Sequence, residues 1–340
     1  MGIARLKLGI YVGTLGGIAL AITLLVMNDV GAIFHVFAQV GTGLIAIVAT
    51  RAVIITICGF AWSLLLPEAK GLPFAVWPLL RWVREGINVL LPVATIGGEI
   101  IGGRLLTFWG VPGGAAAGGI LVDILVQAVG QATFALFGIL LLARVEGAGP
   151  LYDFALGGIG IAFAALLGFF VALRFGGVAR AERWVGLALS RWSRSSVAEA
   201  FHMNPTRVAD GLAAVWRRPG HVAASLGVHI LAWLLGTLDI WIALHVTGHH
   251  TSLTDALIME SIGQAVRGAA FPVPGALGVQ EGGFVLIGQL LGIDPQTAIA
   301  LSLVKRVPDV VLGLPALFAW HTIESRKKNA QPPFFAPHLG

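Results

Sequence analysis

Six stretches of the chain are apolar for about 20 residues each, near 8–27, 41–66, 116–142, 153–174, 221–247 and 297–321. A run of that length matches the hydrocarbon thickness of a bilayer. With no water there to satisfy the backbone, such a segment crosses as a helix, and few other folds are open to it. Composition agrees. Of 340 residues, 57% are hydrophobic and 11% charged, against about 25% charged in soluble domains. The chain reads as an integral membrane protein, and its membrane segments leave no room for a separate soluble catalytic domain. Arg5 and Lys7 precede the first apolar run as in a signal peptide. That run is too long for one and lacks a small-x-small cleavage site, so it reads as a retained first span. One cysteine, Cys58, lies inside a run and excludes an intramolecular disulfide. The net charge of +5 sits in loops and tails beside spans, as topology signals and contacts to anionic lipid rather than to nucleic acid.

Two further runs, 86–108 and 258–291, are apolar but broken. The first holds Pro92, Gly97, Gly98, Gly102 and Gly103, and the second holds Pro272, Pro274, Gly275 and Gly278. Basic residues test how these segments run, because positive loops stay cytoplasmic. The N-terminus, the segment around Lys70, Arg81 and Arg84, the loop 175–220 and the tail 326–340 are all basic. Every one lies inside if each broken segment enters and leaves by the same face. One tilted span is the alternative for either segment. In the loop, Trp184, Leu187, Ala188 and Trp192 share a face among arginines, the pattern of an interfacial helix on anionic lipid.

The two broken segments share a register. Pro92, Glu99 and Gly110 recur at the same spacing as Pro274, Glu281 and Gly292, and Asp123 and Gln127 fall opposite Lys305 and Asp309. This predicts two units, 8–142 and 153–321, inside one membrane domain, 1–325. Three crossings per unit invert the second copy, and paired Gly/Pro-broken helices in matching places point to the binding site of such folds. The expected fold is all-α and polytopic: about six spans plus two re-entrant hairpins in two inverted-topology repeats.

Charges inside or beside apolar segments are the candidate site: Arg51, Glu99, Arg104, Asp123, Asp239, Glu260, Arg267, Glu281, Lys305, Arg306 and Asp309. Each costs a few kcal/mol at the bilayer centre unless paired or hydrated. Asp123, Gln127 and Gln131 form one polar stripe on a helix, and Lys305 and Asp309 have the spacing of a pair within one turn. Structural ion pairing is the plain reading. Glu99 and Glu281, repeated beside glycines at the breaks, favour a functional role, and Lys305 and Arg306 suit an anion such as a lipid phosphate. His245, His249 and His250 with Asp255 have metal-like spacing at a span end, where histidines are commonly interfacial. Trp62, Trp77, Trp82, Trp109 and Trp320 read as an aromatic belt. No phosphate loop, nucleophile elbow or HExxH motif occurs, so neither cofactor nor metal is expected.

The stretch Pro272-Val-Pro274-Gly275-Ala-Leu277-Gly278-Val-Gln-Glu281, with Arg306 on the following helix, resembles the second-half motif of the flippase-like transmembrane region of lysylphosphatidylglycerol synthases. Asn88, Pro92, Gly97, Gly98, Glu99 and Arg104 match the first-half motif, and the likeness covers about 8–325. The segments VDILVQAVGQATF and PVATIGGEIIGGR look closest to the hopanoid-biosynthesis-associated branch. Ala276 departs from the motif, where a second glycine is usual, and the tail NAQPPFFAPHLG stands where a synthase continues into its aminoacyl-transferase domain. Lysyl transfer is therefore not carried over. The resemblance implies handling or flipping of a lipid, a hopanoid or a glycolipid or phospholipid, in a bacterial inner membrane, and the basic segments put both termini on its cytoplasmic side. Glu99 and Glu281 would gate, take up protons or hold a polar head, and Arg104, Lys305 and Arg306 would meet an anion. Lipid-biosynthesis enzymes or a second copy of the chain are the expected protein partners. The rival readings are an intramembrane enzyme, with Glu99 or Glu281 as general acid or base on a lipid-linked substrate, and a scaffold for lipid-synthesis enzymes.

Overall fold

The computed structural model describes residues 19, 22–24, 26–27, 29–66, 69, 71–91, 97–175, 205–249, 251–270 and 273–330. Among these residues the protein is helical, with no strand. The elements in order are α1 (Val30–Val40), α2 (Gly43–Leu64), α3 (Val76–Leu90), α4 (Gly97–Phe108), α5 (Gly113–Leu142) and α6 (Gly149–Arg174). They are followed by α7 (Pro205–Trp216), α8 (Pro219–Val246), α9 (Leu253–Ala269), α10 (Val279–Leu290) and α11 (Pro295–Ala330).

Four helices are long and apolar enough to cross a membrane: α2, α5, α6 and α8. They match four of the six expected spans. Of the other two, 8–27 falls largely outside the described residues, and 297–321 lies in α11. That helix has 36 residues, or roughly 54 Å at the α-helical rise, with Lys305, Arg306 and Asp309 on it and Pro308 and Pro315 inside it. Apolar side chains face outward as they would toward lipid: Phe154, Ile161 and Phe318 are each more than 70% exposed.

Both broken segments double back on themselves. A Cβ on Gly98 in α4 would collide with the Arg84 carbonyl and the Asn88 side chain in α3, so the two arms lie side by side. In the second hairpin, Gly263 of α9 faces the Phe284 ring of α10, and Gly283 faces Val266. The hairpins are longer than the apolar pattern suggests, starting at Val76 and Leu253 rather than at 86 and 258. α9 starts where the Ser252 hydroxyl accepts from Asp255 N at 3.1 Å and the Asp255 carboxylate returns to Ser252 N at 3.2 Å.

Element boundaries follow the register of the Pro, Glu and Gly landmarks. The spacing from Glu99 to Glu281 also separates Gly97 from Val279, Phe108 from Leu290, Gly113 from Pro295 and Leu64 from Val246. Gly110 and Gly292 both follow a short arm at positive φ. Contacts repeat in the same register. Gly86 of α3 packs on Gly313 of α11, and Gly268 of α9 packs on Gln131 of α5. The first arm of each hairpin therefore rests on the long helix of the other half.

Several expectations change. The loop 175–220 contains α7, whose Val208, Leu212 and Val215 are buried against Leu65, Val122 and Leu125. Residues 205–216 of that expected loop are therefore a packed helix. The expected interfacial face Trp184–Trp192 lies outside the described residues, as do Pro92, Pro272 and the terminal tail beyond 330. Trp62 and Trp77 are buried, edge to face at 5.5 Å, in a core instead of a membrane-surface belt.

Ala276 has φ +50°, the only non-glycine among the described residues in the left-handed region. A Cβ there costs about 1–2 kcal/mol, part of which a glycine returns as unfolded-state entropy. Ala276→Gly should therefore stabilise the protein by about 0.5–1 kcal/mol, read as a higher unfolding midpoint in detergent.

Candidate functional site

The first hairpin is stapled by Asn88. Its Oδ1 accepts from Gly98 N at 2.8 Å, and its Nδ2 donates to Glu99 Oε1 at 3.2 Å. One amide thereby uses its acceptor and a donor across the break, and only a glycine at 98 lets the arms approach so closely. Glu99 lies in the first turn of α4, where a carboxylate suits the helix dipole. The Arg84 guanidinium, fully buried, donates to Glu99 and to Asp123 Oδ2, the latter at 2.7 Å, and its carbon lies 4.3 Å from the centre of the Trp62 ring. Gln127 ties the cluster outward, donating to Asp123 Oδ2 at 2.8 Å and accepting from Arg81 at 2.7 Å. On the far side of Asp123, His229 Nε2 lies 3.3 Å from Oδ1, and the other ring nitrogen lies 3.7 Å from Cys58 Sγ.

The second hairpin places Glu281 in the matching first turn. Its Oε2 accepts from Gly278 N at 2.7 Å, while Oε1 receives Arg306 Nε at 3.0 Å, Nη2 at 2.7 Å and the Ser302 hydroxyl at 3.0 Å. Arg306 also donates to the Gly275 carbonyl at 2.8 Å, holding the Pro274–Ala276 turn against α11. The two tips differ in access. Arg84 is sealed at 1% side-chain exposure, whereas Arg306 is 20% exposed beside an exposed Gly275.

A third cluster links the halves. Lys305 Nζ lies 2.7 Å from Glu260 and 3.7 Å from Asp239, and Arg51 lies 3.9 Å from Asp239. Lys305 and Asp309 do not pair along their helix: Asp309 meets Arg267 at 3.0 Å. Arg104 pairs with Glu324 at 2.9 Å. Of the expected site residues, Glu99, Asp123 and Gln127 are brought into one cluster and Glu281 with Arg306 into another. Lys305 stands in the third cluster, and Asp309 and Arg104 in separate pairs. Among the ion pairs of the described residues, Arg306 meets Glu281, Arg267 meets Asp309, Arg81 meets Glu85, Arg104 meets Glu324, and Lys305 with Arg51 meets Glu260 with Asp239. Arg84 faces two carboxylates.

Between the first and third clusters lies a cavity of about 60 Å³, bounded by Arg51, Ile55 and Cys58 of α2, Arg81 and Glu85 of α3, Gln127, His229, Ala232 and Trp233, and Glu260 and Gln264 of α9. The first arms of both hairpins thus reach one space lined by charged and apolar side chains together.

Sequence reasoning missed Arg81, Arg84 and His229. The arginines counted as topology signals at the edge of a loop, yet they point into the protein, so they drop out of the positive-inside tally. Their signal was the turn-spaced series Arg81, Arg84, Glu85 and Asn88 on one helix. Of the metal-like set, His245 stacks on Trp241 and Asp255 caps α9, while His250 lies outside the described residues. Among the described residues no three metal-ligating groups gather.

Paired helical hairpins with buried ion clusters at their tips define a polytopic membrane protein with a polar interior. The chain matches the family model described as the lysylphosphatidylglycerol synthase TM region over residues 8–316 and belongs to that family. No curated protein and no solved structure matches it significantly. Membership supports a membrane, lipid-related role.

Proposed function

We propose that this protein moves polar lipid head groups across a bacterial inner membrane, with both termini cytoplasmic, through two inverted repeats whose hairpins are re-entrant. The observation carrying this reading is the pair of ion clusters at the two hairpin tips, with one cavity reached by both hairpins. Broken helices in paired positions are where transporters of inverted-repeat type hold their cargo. Arg306 is the head-group contact: it is the exposed cation of the second tip, its guanidinium can grip phosphate oxygens two at a time, and Glu281 holds it ready. Arg104, 31% exposed, is a second anion contact. Lys305, closed in by two carboxylates, joins the halves instead. The tail of the lipid, a hopanoid or the acyl chains of a glycolipid or phospholipid, stays in the membrane. Basic segments near the cytoplasmic face hold anionic lipid, and lipid-biosynthesis enzymes or a second copy are its protein partners.

Glu281→Gln keeps a hydrogen-bond acceptor at the tip but frees Arg306. It should fold and insert, and lipid movement in liposomes should fall about tenfold or more, the worth of a charge-assisted contact. Full translocation by this variant removes Glu281 from the mechanism. Release of a chemically altered lipid by the purified protein would point to an enzyme instead.

A further inference from the structure

Building on the translocase reading, we infer that His229 and Asp123 form a proton-binding site that couples lipid movement to a proton gradient. Arg84 is the one permanent cation held between Glu99 and Asp123, so the cluster has a carboxylate too many. The titratable group beside it is His229, 2% exposed, with Nε2 on Asp123 Oδ1. A proton on the imidazole restores neutrality in a place where uncompensated charge is costly. Both forms of the ring fit. When charged, it donates to Asp123 and to the Cys58 sulfur; when neutral, it keeps the bond to Asp123 and accepts from the Cys58 thiol.

A cavity adjoins the site. Cys58 and His229 both line the 60 Å³ cavity, which is roomy enough for a few water molecules. The other charged groups facing it are Arg51, Arg81, Glu85 and Glu260. A proton arriving through the cavity binds His229 Nδ1, and it leaves from the same atom to cavity water.

Coupling to the lipid runs through Asp123. His229 and Arg84 hold opposite oxygens of one carboxylate, and Arg84 also holds Glu99 at the first tip. Charging His229 takes a larger share of Asp123 and leaves Arg84 more firmly on Glu99, which tightens the hairpin. Releasing the proton does the reverse.

The test uses the full chain in liposomes with a fluorescent short-chain phosphatidylglycerol and a lumenal pH dye. A one-unit pH gradient should shift the steady-state ratio of probe lipid between leaflets by up to about tenfold, as one proton per lipid allows. Probe movement should also change lumenal pH. Asp123→Asn restores one carboxylate per guanidinium, so it should fold and lose the gradient response. His229→Gln should lose it too. Separately from transport, a difference titration of purified protein across about pH 5 to 9 should show a protonation step that both variants lack. Movement of the probe with no gradient response overturns the coupling and leaves the translocase reading standing. Absence of probe movement with the titration step present overturns that reading, and the coupling with it, and retains only the proton site. A missing step in the wild type overturns the site itself.

Discussion

Arg84→Met should cost about 3–5 kcal/mol of stability, the usual result of deleting one partner of a buried ion cluster. Glu99 and Asp123 would remain facing each other in a space where Arg84 had no exposure and Asp123 has none. The stapled hairpin would loosen first, because Glu99 also holds Asn88. Unfolding of the purified protein in detergent, followed by a thermal shift, measures the loss. Glu99→Gln or Asp123→Asn added to Arg84→Met should recover a large part of it, since a neutral amide removes the unpaired charge without changing shape. If Arg84→Met alone unfolds at the wild-type midpoint, the cluster is solvated and not structural.

Gly98→Ala should destabilise by about 1–3 kcal/mol, the range for inserting a methyl group into a closed contact. The methyl has nowhere to go: the Arg84 carbonyl is backbone, and the Asn88 side chain is held by the bond that staples the arms. A control lies in α6. Gly158→Ala meets nothing within 4 Å, so helix propensity alone should make it neutral to stabilising by about 1 kcal/mol. A similar fall in the unfolding midpoint for both variants would show that the cost at Gly98 reflects helix bending rather than hairpin closure.

Some of this could be read before any coordinates. Four apolar runs became four membrane-length helices, since a mostly apolar segment of about 20 residues has few other stable states in lipid. The breaks at 86–108 and 258–291 were also legible, because proline and clustered glycine interrupt a helix by local sterics. So was the register linking Glu99 with Glu281, which the helix bounds follow. Arg84 was not. An arginine at the edge of an apolar run looks the same whether it turns toward head groups or toward a buried acid. Lys305 and Asp309 misled for a related reason: their spacing permits a pair along the helix, but neighbouring helices offered partners already stripped of water.

Local chemistry therefore determined the membrane class, the four long helices and the places where the chain must turn. These depend on residues within a turn or two of each other, and sequence records them directly. Packing decided the rest. It selected which carboxylate each cation meets, set Arg84 between two acids with His229 beside them, and left Arg306 open while Arg84 is sealed. Those outcomes depend on residues far apart in the chain, such as Arg84 and Asp123 or Glu281 and Arg306. Their distances exist only once the helices have chosen their neighbours.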